Sequence, residues 1–297
     1  MYSDRCAILD HRTGETAMQK MIKKYFALFA LPTLIAFTLA FVVPFVMGIY
    51  LSFTEFTTVT DAKWVGIGNY VKAFSDIDFL NALWFTAKFT IVSVVSINVF
   101  AFFLALLLTK KVLGTNVFRT VFFMPNLIGG IVLGYIWQLI FNGILYRYEV
   151  TLTYDSAFGF CGLVILMNWQ LIGYMMIIYI AGIQNVPKEQ LEAAKIDGAS
   201  NGVILRKIIF PLVMPSVTIC LFLSISNAFK LFDQNLALTA GAPAKETTML
   251  ALDIYNTFYS KAGFEGVGQA KAVMFFLMVG IIVLVQLAIT RRKEIEN

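Results

Sequence analysis

Six stretches of the sequence, 25–54, 89–109, 120–146, 156–187, 208–229 and 272–290, contain no Asp, Glu, Lys or Arg. Each is long enough for the roughly 20-residue helix that crosses a bilayer. Hydrocarbon offers no water to backbone N–H and C=O groups, so a spanning segment must bond them internally, as a helix does. The expectation is an all-α membrane protein with six transmembrane helices. Composition agrees: 59% of the residues are hydrophobic and 14% charged, where soluble domains are about one quarter charged. The first window follows a basic tail, as a secretory signal would. Signal cores run only about 7–15 residues, however, and this window continues through Phe53.

The basic residues orient the spans. Arg5, Arg12, Lys20, Lys23 and Lys24 precede the first window; Lys110, Lys111 and Arg119 follow the second; Lys188, Lys195, Arg206 and Lys207 follow the fourth; Arg291, Arg292 and Lys293 end the chain. Fifteen of the 23 Lys and Arg thus fall on one side, so both termini are expected in the cytoplasm. The net charge of +5 is then a topology signal, and nucleic acid is not an expected partner. The chain divides into a cytoplasmic tail 1–24, a membrane domain 25–290 and a cytoplasmic tail 291–297. Residues 1–17 are polar and unpatterned and read as disordered, with Met18 and Met21 as alternative starts just before the basic cluster.

Catalytic chemistry finds little to work with. His11, the single histidine, sits in the tail, and Cys6, Cys161 and Cys220 form no CxxC pair, which argues against a metal site or disulfide framework. No paired carboxylates stand within the windows. The segment GAPAKETT at 241–248 lacks the glycine before lysine that a phosphate-binding loop needs. Any nucleotide must be held by another subunit, and no cofactor or metal is expected on this chain.

Polar residues inside the windows carry more information, because an unpartnered polar group in hydrocarbon is costly. Among them are Asn98, Gln138, Asn168, Gln170, Ser224, Ser226, Asn227 and Gln286. Ser224, Asn227 and Leu231 recur at three- to four-residue spacing and share a helical face, while Trp169, Tyr174 and Tyr179 add amphipathic aromatic surface to the fourth span. Amides, hydroxyls and rings together suit sugars, which expose hydroxyl edges and C–H faces. Hydrogen bonding between helices remains an equal alternative for any one Asn or Gln. Gly130 and Gly134 form a GxxxG pattern, for which close helix packing is the better reading. Outside the membrane, 55–88 reads as a turn followed by a short amphipathic helix. The connection 230–271 reads as a Gly/Pro turn and then a surface or re-entrant helix patterned by Met249, Leu250, Ile254 and Phe258.

The segment EQLEAAKIDGAS, 189–200, is charged and alanine-rich between two apolar windows. Pro187 suits a helix start, Glu189 and Glu192 complement the positive end of the helix dipole, and Gly198 permits a left-handed stop. Ser200 or Asn201 can cap the next helix. Ala193, Ala194, Gly198 and Ala199 allow another backbone to approach closely, although a solvated loop helix explains the composition as well.

The longer stretch LEAAKIDGASNGVILRKIIFPLVMP, 191–215, resembles the EAA motif of permeases from binding-protein-dependent ABC importers. Further stretches are similar to the carbohydrate-uptake branch: FRTVFFMPNLIGGIVLGYIWQLIFN at 118–142, NWQLIGYMMIIYIAGIQNVP at 168–187 and FKLFDQNLALTAGAP at 229–243. The last resembles the MalF-like half of a sugar permease pair, in its short sugar and glycerol-phosphate form. This resemblance implies a type I ABC importer permease fold (MetI-like), with the EAA segment 187–211 carrying a cytoplasmic coupling helix. It implies that Glu192 pairs with a basic residue of an ATPase, that Ala193, Ala194 and Gly198 allow a close fit, and that Asp197 supports the turn. It implies as partners a second, MalG-like permease, a cytoplasmic ABC ATPase dimer that uses ATP and Mg, an external solute-binding protein and a carbohydrate, in a bacterial or archaeal plasma membrane. Alignment on Pro187 and LTAGAP places site residues of the family on Tyr174 and Ser224, and two site asparagines on Ala228 and Leu231; Asn227 is the expected replacement. Gly202 and Leu205 stand where the family often has aromatic or bulky residues. The competing reading, a self-sufficient secondary transporter or channel, calls for ionisable groups within the spans, and the six windows have none.

Overall fold

The structure is a computed structural model that describes residues 25, 26, 28–110 and 113–295. The tail 1–24, with Cys6, His11 and the alternative starts, lies outside the described residues. Four helices are long and apolar enough to span a membrane unbroken: α1 (Leu28–Leu51), α3 (Ile77–Leu108), α6 (Ser156–Gln184) and α12 (Glu265–Ile295). The short α2 (Gly68–Phe74) precedes α3, as expected of an amphipathic segment there. An antiparallel pair of two-residue strands, β1 (Thr54–Glu55) and β2 (Lys63–Trp64), sets Thr54 opposite Trp64.

The other two spans are bent pairs. α4 (Thr115–Phe123) runs through a 3-10 turn to Leu127 and meets α5 (Gly130–Leu145) at a 103° angle. The charge-free window 120–146 is therefore not one straight helix. Pro125 removes a backbone donor from the turn Met124–Leu127, and Gly129 is extended at φ −60°, ψ 140°; together they end the first helix and restart the chain in a new direction. In the fifth span, α8 (Asn201–Leu212) meets α9 (Met214–Phe229) at 69°. Pro211 and Pro215 flank the break at Val213, and a proline at 215 clashes with the carbonyl four residues back. With each bent pair taken as one span, the described residues hold six candidate spans.

Asp caps start two of the straight spans. Asp76 Oδ1 accepts from Asp78 N–H at 3.0 Å at the head of α3, and Asp155 Oδ1 accepts from Ala157 N–H at 2.7 Å at the head of α6. A carboxylate there satisfies an orphan donor and meets the positive end of the dipole. The centre of the bundle is α3 against α6, where Phe89, Ile97, Leu163, Met167 and Met175 are buried. By contrast, α1 buries none of its hydrophobic window and touches the bundle through α12, with Phe45 edge-on to Phe276 at 5.0 Å.

After α9 the chain turns back through α10 (Asp233–Leu238) and α11 (Leu250–Ser260) before entering α12. α10 packs on α5, where a Cβ on Gly134 would stand 2.6 Å from that of Ala237, so GxxxG serves close packing. Asn235, fully buried, knits the turn after α10: its Nδ2 donates to Thr247 O at 2.8 Å and its Oδ1 accepts from Met249 N–H at 3.0 Å. Of the expected pattern, Met249 at the N-cap of α11 and Leu250 in its first turn are buried, while Ile254 and Phe258 are half-buried; α11 also buries Asp253, a charged residue that periodicity did not reveal. The Lys271 Nζ of α12 donates to Asp253 Oδ2 on α11, to Asp76 Oδ2 at the head of α3 at 2.8 Å, and to Thr257 Oγ1 at 2.8 Å.

Candidate functional site

The charged segment forms α7 (Lys188–Ile196), with Pro187 at its N-cap. Its end is a Schellman turn: Ala199 N–H donates to Ala194 O at 2.9 Å and Gly198 N–H to Lys195 O at 3.1 Å. Gly198 sits at φ +76° with nothing within 4 Å of where a Cβ would be. Backbone conformation, not crowding within this chain, requires glycine there. Ser200 takes the next N-cap position, without a side-chain cap bond. Leu191 and Val186 seat the segment on the bundle, whereas Glu192, Ala193, Asp197 and Gly198 are exposed and Ala194 is half-buried. Ile196 is 86% exposed, so an apolar side chain protrudes beside the charged ones. Gly202 is exposed with open space around it, and Leu205 is half-buried in a π-type turn.

α7 lies in sequence between α6 and α8–α9, and these same two spans wall a polar cavity of about 380 Å³. Gln170 of α6, Asn227 and Lys230 at the end of α9, Asp233 and Gln234 of α10, and Asn126 line it. Gln234 Nε2 donates to Gln170 Oε1 at 2.9 Å, fixing one amide edge of the wall. Asn227, expected in a substrate path, lines this cavity, with its Nδ2 donating to Leu223 O at 2.8 Å. Leu231, one of the positions aligned with a site asparagine, is an apolar part of the same wall. Tyr174 stands one turn along α6 from Gln170 on the same face, half-buried, its ring 6.4 Å from that of Phe123.

Ser224 does not reach the cavity. Fully buried, it donates to Cys220 O at 2.7 Å and accepts from Asn98 Nδ2 at 2.9 Å, while Tyr179 O–H donates to Asn98 Oδ1 at 2.7 Å. The three join α3, α6 and α9. Its face of α9 turns towards α3, which three- to four-residue spacing alone cannot decide. Most other intramembrane amides also bond between helices: Asn168 to Ser96 Oγ at 2.9 Å, Gln138 to Leu238 O at 3.0 Å and Gln286 to Thr218 O at 3.3 Å. Of the residues missed in the sequence, Asn126 lies inside the window 120–146, and Lys230, Asp233 and Gln234 belong to the connection that follows the window 208–229. Their signal was the polar run flanking 229–235, folded back beside the spans.

Outside the spans, burial alone would raise the Asp76 carboxyl, but the Lys271 hydrogen bond and charge, helped by Lys261, hold it below the usual carboxylate range. Asp253 is more deeply buried and is pushed above that range despite the same lysine. Among the described residues, no group of three or more His, Cys, Asp or Glu is arranged to hold a metal ion. Cys161 and Cys220 are free thiols.

A family model described as "Binding-protein-dependent transport system inner membrane component" matches residues 97–294. The chain belongs to that family. The permease is 42% identical over 280 residues to the "Probable starch degradation products transport system permease protein AmyD" of Thermoanaerobacterium thermosulfurigenes, covering 92% of this chain and 96% of that one. It is 29% identical over 273 residues to the "Trehalose/maltose transport system permease protein MalF" of Thermococcus litoralis, covering 87% and 91%. In fold, the permease matches a chain of a bacterial alginate ABC transporter crystallised with a pentasaccharide-bound periplasmic protein, at TM-score 0.77 and 20% identity, over 93% of this chain and 97% of that one. The fold is the type I ABC importer permease fold, MetI-like. The permease is a multi-pass membrane protein, and the ATPase of such a transporter is a separate subunit.

Proposed function

We propose that this permease forms half of the translocation path of an ATP-driven carbohydrate importer and carries oligosaccharides derived from starch. The observation behind this reading is that the amide-rich cavity is walled by the two spans that α7 connects. A push on α7 enters both walls directly, through Pro187 into α6 and through the Schellman turn into α8 and α9. The names of the relatives, and an amide and ammonium lining suited to hydroxyl groups, support a sugar as the solute. Gln170, Gln234 and Asn227 contact it, Tyr174 extends the path one turn inward, and Ser224 holds the spans behind it.

On the cytoplasmic side, where both termini also lie, Glu192 pairs with a basic residue of the ATPase. Ala193, Ala194 and Gly198 let the ATPase cleft close over α7, and Asp197 supports its turn. A MalG-like permease supplies the other half of the path, an external solute-binding protein delivers the sugar, and the ATPase dimer alone binds ATP and Mg. Closure of that dimer rocks the spans between inward- and outward-facing states.

The test is uptake of labelled malto-oligosaccharides by proteoliposomes holding the complete complex. Glu192→Lys should abolish uptake while the binding protein retains its affinity for sugar. Normal uptake by that variant would remove α7 as the coupling element, and sugar-independent ATPase activity throughout a broad carbohydrate screen would remove the substrate class.

A further inference from the structure

Span α6 borders a second cavity, of about 560 Å³, at its head. Ser156, Ala157, Phe160 and Cys161 face this cavity, whereas Met167, Gln170 and Leu171 face the first. Ten to eleven residues at 1.5 Å each put the two about 15 Å apart along α6, on neighbouring faces. The far wall is a stripe of α3: Asn81, Trp84 and Lys88, spaced by three and four residues and so on one face. The third wall is the turn after α10, with Lys245 and Glu246. An ion pair between Lys245 and Asp78 ties that turn to α3 at 2.6 Å.

The lining is specific in its chemistry. Trp84 leaves 66% of its surface exposed, a flat apolar face of the kind on which the C–H side of a pyranose stacks. Lys88 Nζ lies 5.9 Å from the ring centroid, within reach of hydroxyls on a sugar resting there. Asn81 offers both donor and acceptor, Glu246 accepts only, and Lys245 donates only. Two ammonium groups face two carboxylates, Asp78 and Glu246, so the site has no charge excess to attract a phosphate or a polycation. An acyl chain would strip water from Asn81, Lys88 and Glu246 and return no hydrogen bond. A neutral, polyhydroxylated ligand satisfies all of them, and the volume lies within the range of small-ligand sites.

We propose that this outer cavity is a second carbohydrate subsite, which holds the trailing units of an oligosaccharide whose leading end occupies the inner cavity. The proposal rests on the carbohydrate reading above and adds a dependence on chain length. A disaccharide in the inner cavity leaves the outer one empty; a longer chain fills both.

The experiment measures uptake of maltose through maltoheptaose by the reconstituted complex with its binding protein, for the unaltered permease and for Trp84→Ala, Trp84→Phe and Asn81→Ala. Trp84→Ala should raise the half-saturating concentration for maltohexaose about tenfold and leave maltose uptake unchanged, which also controls for folding. Trp84→Phe should retain most of the affinity for the long chain, and Asn81→Ala should lose part of it. An equal loss at every length, with weaker docking of the binding protein, would make the cavity a protein interface and overturn the subsite. No change at any length would overturn it too. Uptake of none of the series by the unaltered complex would overturn the substrate reading and the subsite together, whereas a length-independent result overturns only the subsite.

Discussion

Lys271 Nζ stands 2.7 Å from Asp253 Oδ2, with the lysine side chain wholly buried. The same ammonium holds Asp76 at 2.8 Å, so one cation fastens α11 and the head of α3 to the start of α12. Lys271→Met leaves two carboxylates without their buried partner, and breaking such a pair costs about 3–5 kcal/mol. The purified complex should melt well below the unaltered one, and Lys271→Arg should recover part of the loss. Unchanged melting in both variants would show that the cluster does not bear on stability.

Acid should loosen the same corner. The Asp76 carboxyl is held below its usual value, so its stabilising contribution is present above the unfolded pKa of about 4 and is lost as pH falls through the lower folded value. Asp253, raised by burial, contributes in the opposite sense: its share is complete below the unfolded value and lost as pH rises through the folded one. Melting profiles between neutral pH and pH of about 3 should therefore fall less steeply for Asp76→Asn than for the unaltered chain. A parallel fall would assign the acid loss to other groups.

Ser224 and Gln170 should separate stability from transport. Ser224→Ala strips Asn98 Nδ2 of its partner across helices and should cost about 1–3 kcal/mol, with the half-saturating sugar concentration unchanged. Gln170→Ala should raise that concentration while melting changes little. The reverse pattern would exchange their roles.

Gly173→Ala should be among the most damaging small substitutions in the bundle. A methyl group there would overlap the carbonyl oxygen of Phe122, a backbone atom with no rotamer to escape through. Overpacking of this kind costs about 1–3 kcal/mol and would push the end of α4 off α6. Assembly with the second permease, followed by gel filtration, and sugar uptake should both suffer. Normal values for both would mean that α4 yields freely.

Much of this was legible in the residues. Among the described residues, charge-free windows marked the four straight spans and the two bent pairs, because ionised groups rarely enter hydrocarbon, and Pro187 and Gly198 marked the ends of α7 by backbone rules that need no tertiary context. The breaks near Gly129 and Val213 were written in Pro125, Pro211 and Pro215, but a count of charges is blind to direction. The ion cluster was hidden because Asp76 and Asp253 lie within the connections 55–88 and 230–271 while Lys271 adjoins the last window, and they meet only when three separate elements converge. The cavity was hidden for a related reason. Periodicity shows that Ser224 and Asn227 share a face of α9, not that its neighbouring helix takes one and the open space the other.

The bare surface of α1 has a consequence for how this chain is built. The family model begins at residue 97, and no part of the hydrophobic window of α1 is enclosed by the bundle. The helix is cladding: it presents apolar side chains along one flank and supplies no wall to either cavity described above. Both cavities bordered by α6 are built from α3 onward, so a substitution on the bare face of α1 meets none of the side chains that line them.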